Sequence, residues 1–395
     1  GERFPGGERV VDPERTYADT LRRCGARSMV EDERFVRRTW HSAMLEPAIY
    51  AEVVRGMLDE AGRCDVLTET SFQRATNDGR WVRNLRLSGG RKVEAPLYVD
   101  ASGDAVLAAD AGCRMRLGQE EAETVGESDA PPETGLSLNA ATLIYRVTPA
   151  PEPGVEPLPR GIEGECWWRD RFPVASVVHF PCGDLAVNML PTMEGAEARA
   201  RGPLAARREC RCRVRSHWHY LQREHSWFRN YRLCWVAPRI GIREGPRVVS
   251  RYTLSESDLR NGLSGQTHDD IIGIADHAMD VHGDSGGRSG CVELEEPYGI
   301  PYRCLLPEDI DNLLVACRGA GFSSMAASSC RLSRTMMQLG QAAGEAAALA
   351  SQRGVAFPDV DPGRLRDRLR AEHVGLSWPP GPEMLGYLRE NEPEV

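Results

Sequence analysis

Twice in this chain, far apart, a short apolar run ends in small residues and a helix follows. The first is Tyr98-Val99-Asp100-Ala101-Ser102-Gly103-Asp104, continued by the alanine-rich stretch from Ala105 to Gly112. The second is Leu313-Leu314-Val315-Ala316-Cys317-Arg318-Gly319, continued beyond Arg331 by a small-residue helix expected over Ser333 to Ser351. A strand running through a small-residue turn into a helix is the unit of an open α/β sheet, whose ligands sit beyond the carboxyl ends of the strands. Gly103 permits close backbone approach, and the N–H groups that open the next helix face an anion. The plain alternative for the first unit is an ordinary strand-to-helix turn with Asp104 as N-cap.

The chain has 395 residues, 41% hydrophobic and 27% charged, with mean hydropathy −0.43, so it is globular and long enough for two or three domains. No apolar run reaches the ~20 residues of a membrane span and no signal-peptide core opens the chain, so no membrane association is expected. Acidic residues outnumber basic ones 58 to 49, which argues against a nucleic-acid partner. Lys92 is the only lysine, so a P-loop is excluded, as is any other Schiff-base lysine. Twelve scattered cysteines without a CxxC are too few for a disulfide scaffold, and a reducing cytoplasm is expected.

Along the chain, Ala43 to Gly62 has helical apolar spacing, with Pro47 in the first turn and Gly62 as the stop. Strands are expected at Val66-Leu67, Phe72, Trp81–Leu87 and Val93–Val99, the last running into Asp100 as part of a meander. Further strands are expected at Ala140–Val147, Val174–Phe180 and Leu185–Leu190, then a long helix from Ala196 to Trp227. Residues 119–135 read as an acidic loop, 149–164 as a proline-rich connection and 264–290 as a polar region.

Cys210-Arg211-Cys212 and His217-Trp218-His219 carry metal-ligand residue types. On a helix, however, positions i and i+2 diverge by about 200°. Cys210, Val214, Trp218 and Leu221 instead form one apolar stripe. The arginines and aromatics between Arg207 and Arg232 read as a solvated face. His268, Asp269, Asp270, Asp276, His277, Asp280 and His282 crowd one polar segment, where an imidazole is a natural proton carrier. Arg239, Arg243 and Arg247 are spaced to clamp a carboxylate, or to balance nearby acids.

Taken together, the two strand-turn-helix units resemble the FAD-dependent oxidoreductases of the glutathione-reductase-like class, relatives of the fumarate-reductase-type flavoproteins. The family's IDATGD turn is similar to Val99 through Asp104, and its AG…R.G continuation to Ala111 through Gly118. Its R-E-S-R-R-I segment resembles Arg243 through Val248, its D-x-H resembles Asp280-Val281-His282, and its IPYR…NLLVAGR resembles Ile300 through Arg318. Its LGQAAGxAAALA block, the most specific, resembles Leu339 through Ala350.

The resemblance implies an α/β fold: a Rossmann-like FAD-binding domain, N-terminally incomplete, with an inserted α+β substrate or cap domain. The cofactor domain is expected at 1–118 and 300–352, the cap at 119–299, and a peripheral tail at 353–395. FAD would be bound by Asp100, Ala101, Ser102, Gly103, Asp104, Arg318, Arg331, Leu339, Gly340, Gln341, Ala342 and Ala343. The implied reaction is hydride transfer between a small organic substrate and flavin N5, with His282 handling the proton and Arg243 or Arg247 orienting the substrate. No metal is expected in this reading.

Three departures stand out. The family's strand-GxGxxG-helix unit is absent, so a separate chain or a missing segment is expected to supply the phosphate cradle. Cys317 replaces a family glycine, and Pro246 replaces a family arginine. Two rival functions follow: a remnant module that has lost FAD, and a metal-dependent hydrolase using the His, Asp and Cys segments.

Overall fold

The computed structural model describes residues 46–120, 125, 127, 136–180, 182–283 and 290–391. The reading of residues 1–45 and most of the acidic loop lie outside the described residues.

In chain order, helix α1 (Pro47–Ala61) precedes strands β1 (Phe72–Asp78), β2 (Trp81–Leu87), β3 (Lys92–Val93) and β4 (Tyr98–Asp100). Helix α2 (Val106–Asp110) and β5 (Met115–Arg116) follow. Next come β6 (Tyr145–Pro149), β7 (Val174–His179), β8 (Leu185–Leu190), helix α3 (Gly195–Glu224) and β9 (Tyr231–Val236). Then come β10 (Arg247–Val248), α4 (Glu256–Gly265), β11 (Ile271–Ala275), β12 (Met279–Val281), β13 (Gly290–Val292) and β14 (Tyr298–Pro301). The chain continues through β15 (Leu313–Val315), α5 (Ser324–Cys330), α6 (Ser333–Arg353), α7 (Pro362–Ala371) and α8 (Pro382–Asn391).

Helix α1 begins on Pro47 and stops at Gly62 in the left-handed region, as its sequence predicts. Strands β1–β3 form the expected antiparallel meander. The single strand expected from Val93 to Val99 is split, however. Pro96 carries no N–H for a ladder; β3 stays in the meander while β4 leaves it and pairs in parallel with β15, Tyr98 opposite Leu313 and Asp100 opposite Val315. The two remote strand-turn-helix units therefore lie side by side.

Asn312 fastens this junction. It is buried, its Oδ1 accepts from the Val82 N–H (2.8 Å), and its Nδ2 donates to the carbonyls of Val82 (2.9 Å) and Pro96 (3.0 Å). Its own carbonyl accepts from the Tyr98 N–H (2.9 Å). One amide thus ties the meander to both parallel strands.

Two hydrophobic clusters organise the described residues. One gathers β4, α2, β11, β14, β15, α5 and α6 around Leu313, Leu314, Val315, Leu339 and Ala343. The other gathers the four-stranded sheet, ordered β7-β8-β6-β9, against α3. Packing divides the chain differently from the boundaries read from the sequence. Val248, Ile272, Met279 and Tyr298 belong to the first cluster, although they fall within the 119–299 stretch. Phe357, Leu365 and Leu369 are fully buried in that same cluster, so the chain beyond 353 is not a peripheral tail.

Helix α3 buries the predicted Cys210, Val214, Trp218 and Leu221 stripe, and breaks at Gly202 (φ 73°) just before Pro203. His217 is buried with Nδ1 2.9 Å from Tyr145 Oη, whereas His219 Nδ1 faces the Glu156 carbonyl at 2.8 Å. Among the described residues no group of three or more His, Cys, Asp or Glu side chains assembles a metal site.

Two predictions arise. Asn312→Ala leaves buried backbone groups of Val82 and Pro96 unmet and should cost about 2–3 kcal/mol in denaturant unfolding; an unchanged midpoint would refute the fastening role. Burial pushes the His217 imidazole down to about 4. Between pH 6.5 and 4 the unfolded chain therefore binds a proton that the folded chain refuses, and stability falls with pH. From pH 7 to 5, the parent should lose about 2 kcal/mol more stability than His217→Phe. Parallel unfolding-versus-pH curves for the two proteins would rule this out.

Candidate functional site

Strands β4 and β15 end together, the Ala316 N–H donating to the Asp100 carbonyl at 3.0 Å. The buried Asp100 carboxylate accepts from the N–H of Ser102 (3.0 Å) and of Ala108 (2.9 Å), and Ser102 Oγ accepts from the Val106 N–H (2.9 Å). Asp100 and Ser102 therefore cap the turn and α2. Asp104, the cap expected from sequence, instead pairs with Arg318 Nη2 at 2.7 Å and locks the two turns together. Gly103 has φ +90°, and a Cβ there would stand 3.0 Å from the Arg318 guanidinium.

Behind this pair lies Gly245, where a Cβ would collide with the Asp104 carboxylate. Its neighbour Glu244 belongs to a buried charge cluster. Arg247, 1% exposed, donates from Nη1 to Glu244 (2.6 Å) and from Nη2 to Glu120 (2.8 Å) and the Gly118 carbonyl (2.5 Å). Its Nε donates to the Phe322 carbonyl (2.9 Å). Ser324, opening α5, donates from N–H to Glu120 (2.9 Å) and from Oγ to Glu244 (2.8 Å). Burial works against the charge on Arg247, but the two glutamates more than offset it and hold its pKa above the usual arginine value. The sequence placed Arg247 at a substrate. The structure corrects this, because its guanidinium is consumed by the frame.

The second Glu244 oxygen accepts from the Asn139 N–H at 2.8 Å. Asn139 reaches in turn to the polar segment: its Nδ2 donates to the Asp280 carbonyl (3.0 Å) and its Oδ1 accepts from the His282 N–H (3.1 Å). His282 Nε2 lies 2.7 Å from Asp280 Oδ2, and Arg331 Nη2 lies 3.3 Å from the same oxygen. Burial raises the Asp280 pKa, but the His282 hydrogen bond and Arg331 outweigh it, leaving the carboxyl below its usual range. Arg243 donates from Nη1 to the Ala140 carbonyl (2.7 Å) and Thr142 Oγ1 (2.6 Å). Burial and the like charge of Arg331 push its pKa down to about 10, against the pull of Asp280. Two predicted catalytic residues, His282 and Arg243, thus share a site with Arg331 and Asp280.

The predicted cofactor residues divide. Leu339, Ala342 and Ala343 point into the first core, and Gly340 faces open space on the outer side of α6. The Asp100 carboxylate is spent on its turn. Ala101 and Ser102 are exposed at the strand ends. Three others carry a buried polar atom without a protein partner among the described residues: Arg318 Nε, Arg331 Nε and Gln341 Oε1. Buried polar groups normally find partners, so these two donors and one acceptor fit a cofactor carrying phosphates and a polar ring edge.

Sequence reading missed Glu244 and Asn139. Asn139 acts through partners a hundred or more residues away, and Glu244, three residues from Arg247, also binds Asn139 and Ser324, which no local pattern marks.

Beside Asp104, Gly245 and Glu244 opens a cleft of about 580 Å³, walled on its far side by α3 and residues 238–242. No helix among the described residues is long and apolar enough to cross a membrane.

Over residues 13–369 the sequence matches the family described as FAD dependent oxidoreductase. The chain belongs to that family. The expected cofactor, FAD, and the expected enzyme class are those of the family. No curated protein matches the sequence. Among solved structures, the chain is similar to L-proline dehydrogenase from P. horikoshii, at 11% identity and TM-score 0.32 over 81% of this chain and 59% of that one. It is also similar to BrvH, a flavin-dependent halogenase from Brevundimonas sp. BAL3, at 13% identity and TM-score 0.30 over 83% and 46%. The chain thus spans less than two thirds of either protein.

Removing Arg247 leaves two buried glutamates uncompensated. Arg247→Met should cost about 3–5 kcal/mol of stability, read as a large drop in melting temperature. A variant melting with the parent would show that the cluster carries no structural weight.

Proposed function

We propose that the chain is the catalytic part of an FAD-dependent oxidoreductase that transfers a hydride between a small organic substrate and flavin N5. The observation that carries this reading is the set of unmet buried atoms on Arg318, Arg331 and Gln341. Each unmet group costs about 1–3 kcal/mol, a penalty a bound cofactor would relieve. When bound, the flavin supplies the ring that accepts or donates the hydride.

The chain's own residues supply the rest. Asp280 orients the His282 ring through Nε2, and His282 holds or delivers the proton. Arg243 and Arg331 place positive charge beside that ring, where negative charge on a substrate is stabilised. The backbone at Ala101, Ser102 and Gly103, with Arg318 and Gln341, would hold the cofactor. The cofactor lobe comprises the parallel pair with its helices, and the inserted lobe is the sheet and helix of residues 141–240.

The glutathione-reductase-like architecture of the relatives in the sequence analysis adds a glycine-rich strand-helix unit, supplied by another segment or chain. Among the described residues β4 pairs only with β15, and Val99 is 40% exposed, which supports an added strand there. The eleven described cysteines are unpaired, in keeping with a reducing cytoplasm.

The test joins the chain to a glycine-rich nucleotide-binding segment and reads the visible flavin spectrum. Flavin should appear, and Arg318→Ala or Gln341→Ala should diminish it. His282→Ala should retain flavin yet slow its reduction by substrate by about 10²–10⁴-fold. A joined chain that binds no flavin would favour the remnant reading, and unchanged reduction in His282→Ala would remove the proton role.

A further inference from the structure

The cleft beside Asp104 carries a charge pattern that the redox site does not use. Arg199 and Arg207 line it from either side of the Gly202–Pro203 break in α3, and Arg239 lines it too. None of the three makes a hydrogen bond or ion pair with any protein group among the described residues. Arg207 Nε is moreover buried without a partner. The two carboxylates on the same wall are already engaged: Asp104 by Arg318, and Glu244 by Arg247, Ser324 and Asn139. Among the described residues the cleft therefore has three positive charges without an acidic partner, in a protein whose formal net charge is −9.

Between the arginines the walls are apolar, with Leu138, Ile240 and Ile242 prominent. A volume of about 580 Å³ is far too large for an inorganic ion and falls within the range that encloses a drug-sized molecule. A guanidinium fork matches a carboxylate by paired donors, while the aliphatic walls gain by covering apolar surface.

We propose that this cleft binds the substrate, as an organic carboxylate with an apolar body: its anionic head is held by Arg207 and Arg239, with Arg199 at the rim. The proposal rests on the flavoprotein reading for the word substrate, but the binding site stands on its own geometry. Glu244 connects the cleft to the reaction site, since it lines the cleft and also holds Asn139, which binds the backbone of His282 and Asp280.

The test is isothermal titration of the full chain with octanoate, with octanamide, which has the same body and a neutral head, and with ADP. Octanoate should bind, and octanamide should bind at least about tenfold more weakly, as expected for loss of a charge-assisted contact. The double variant Arg207→Gln, Arg239→Gln should weaken octanoate by about tenfold or more and leave octanamide unchanged. Arg207→Lys, which keeps charge but not the fork, should fall between. Thermal melting of each variant checks that it is folded.

Equal binding of octanoate and octanamide would overturn the proposal, as would an affinity for octanoate that ignores the double substitution. So would loss of ADP binding in the double variant with octanoate binding intact, since the arginines would then serve the cofactor's diphosphate. The titration reads the cleft whether or not flavin is present. Its failure leaves the flavin reading standing, and failure of that reading shows only in the visible spectrum.

Discussion

The candidate site depends on one buried cation. Arg247 sits between Glu120 and Glu244 with every bond turned to protein, and those carboxylates reach onward to the first residue of α5 and to the Asn139 backbone. Placing three charges in an apolar interior is costly, and a hydrophobic trio of similar volume is often as stable or more so. Such a cluster gives geometry. A buried carboxylate that loses a donor or its cation is left unmet, so the segments at residues 118, 139, 244 and 322 are held in one arrangement. The cluster carries one more negative than positive charge, and the N–H groups of Ser324 and Asn139 accommodate that excess.

Asn139 passes this geometry on. It has no chemistry of its own, yet its amide spans the backbone of Asp280 and His282. The imidazole and its carboxylate are thereby set against Arg331 at the head of α6. The two lobes also meet here, because Ala140 and Thr142, which lead into the four-stranded sheet, accept from Arg243. The Asp280–His282 segment and the contacts of Arg243 with Ala140 and Thr142 thus belong to one network.

The cleft adjoins the same network. Glu244 lines the cleft and also holds Asn139, so the cleft and the Asp280–His282 segment share one residue. Different arginines stand in the two places: Arg199, Arg207 and Arg239 line the cleft, and Arg243 and Arg331 stand by Asp280.

Local pattern alone determined much of this protein. Alternation gave β2, β7 and β8 nearly to the residue, the helical stripe gave the buried face of α3, and Pro47 and Gly62 bounded α1. Those features are decided by neighbours within one turn or one pleat, so they can be read in order along the chain. The flavin family was legible for a similar reason, since its motifs are contiguous. Only the tertiary structure decided which polar groups are met by protein partners. An arginine reads alike whether its donors are spent, as in Arg247, or unmet, as in Arg207 and Arg331. The split of the Val93–Val99 strand, the capping roles of Asp100 and Ser102, and the burial of Leu339, Ala342 and Ala343 were decided there too. Each rests on a partner remote in sequence, and the free energy of a polar group is set by what the fold brings against it.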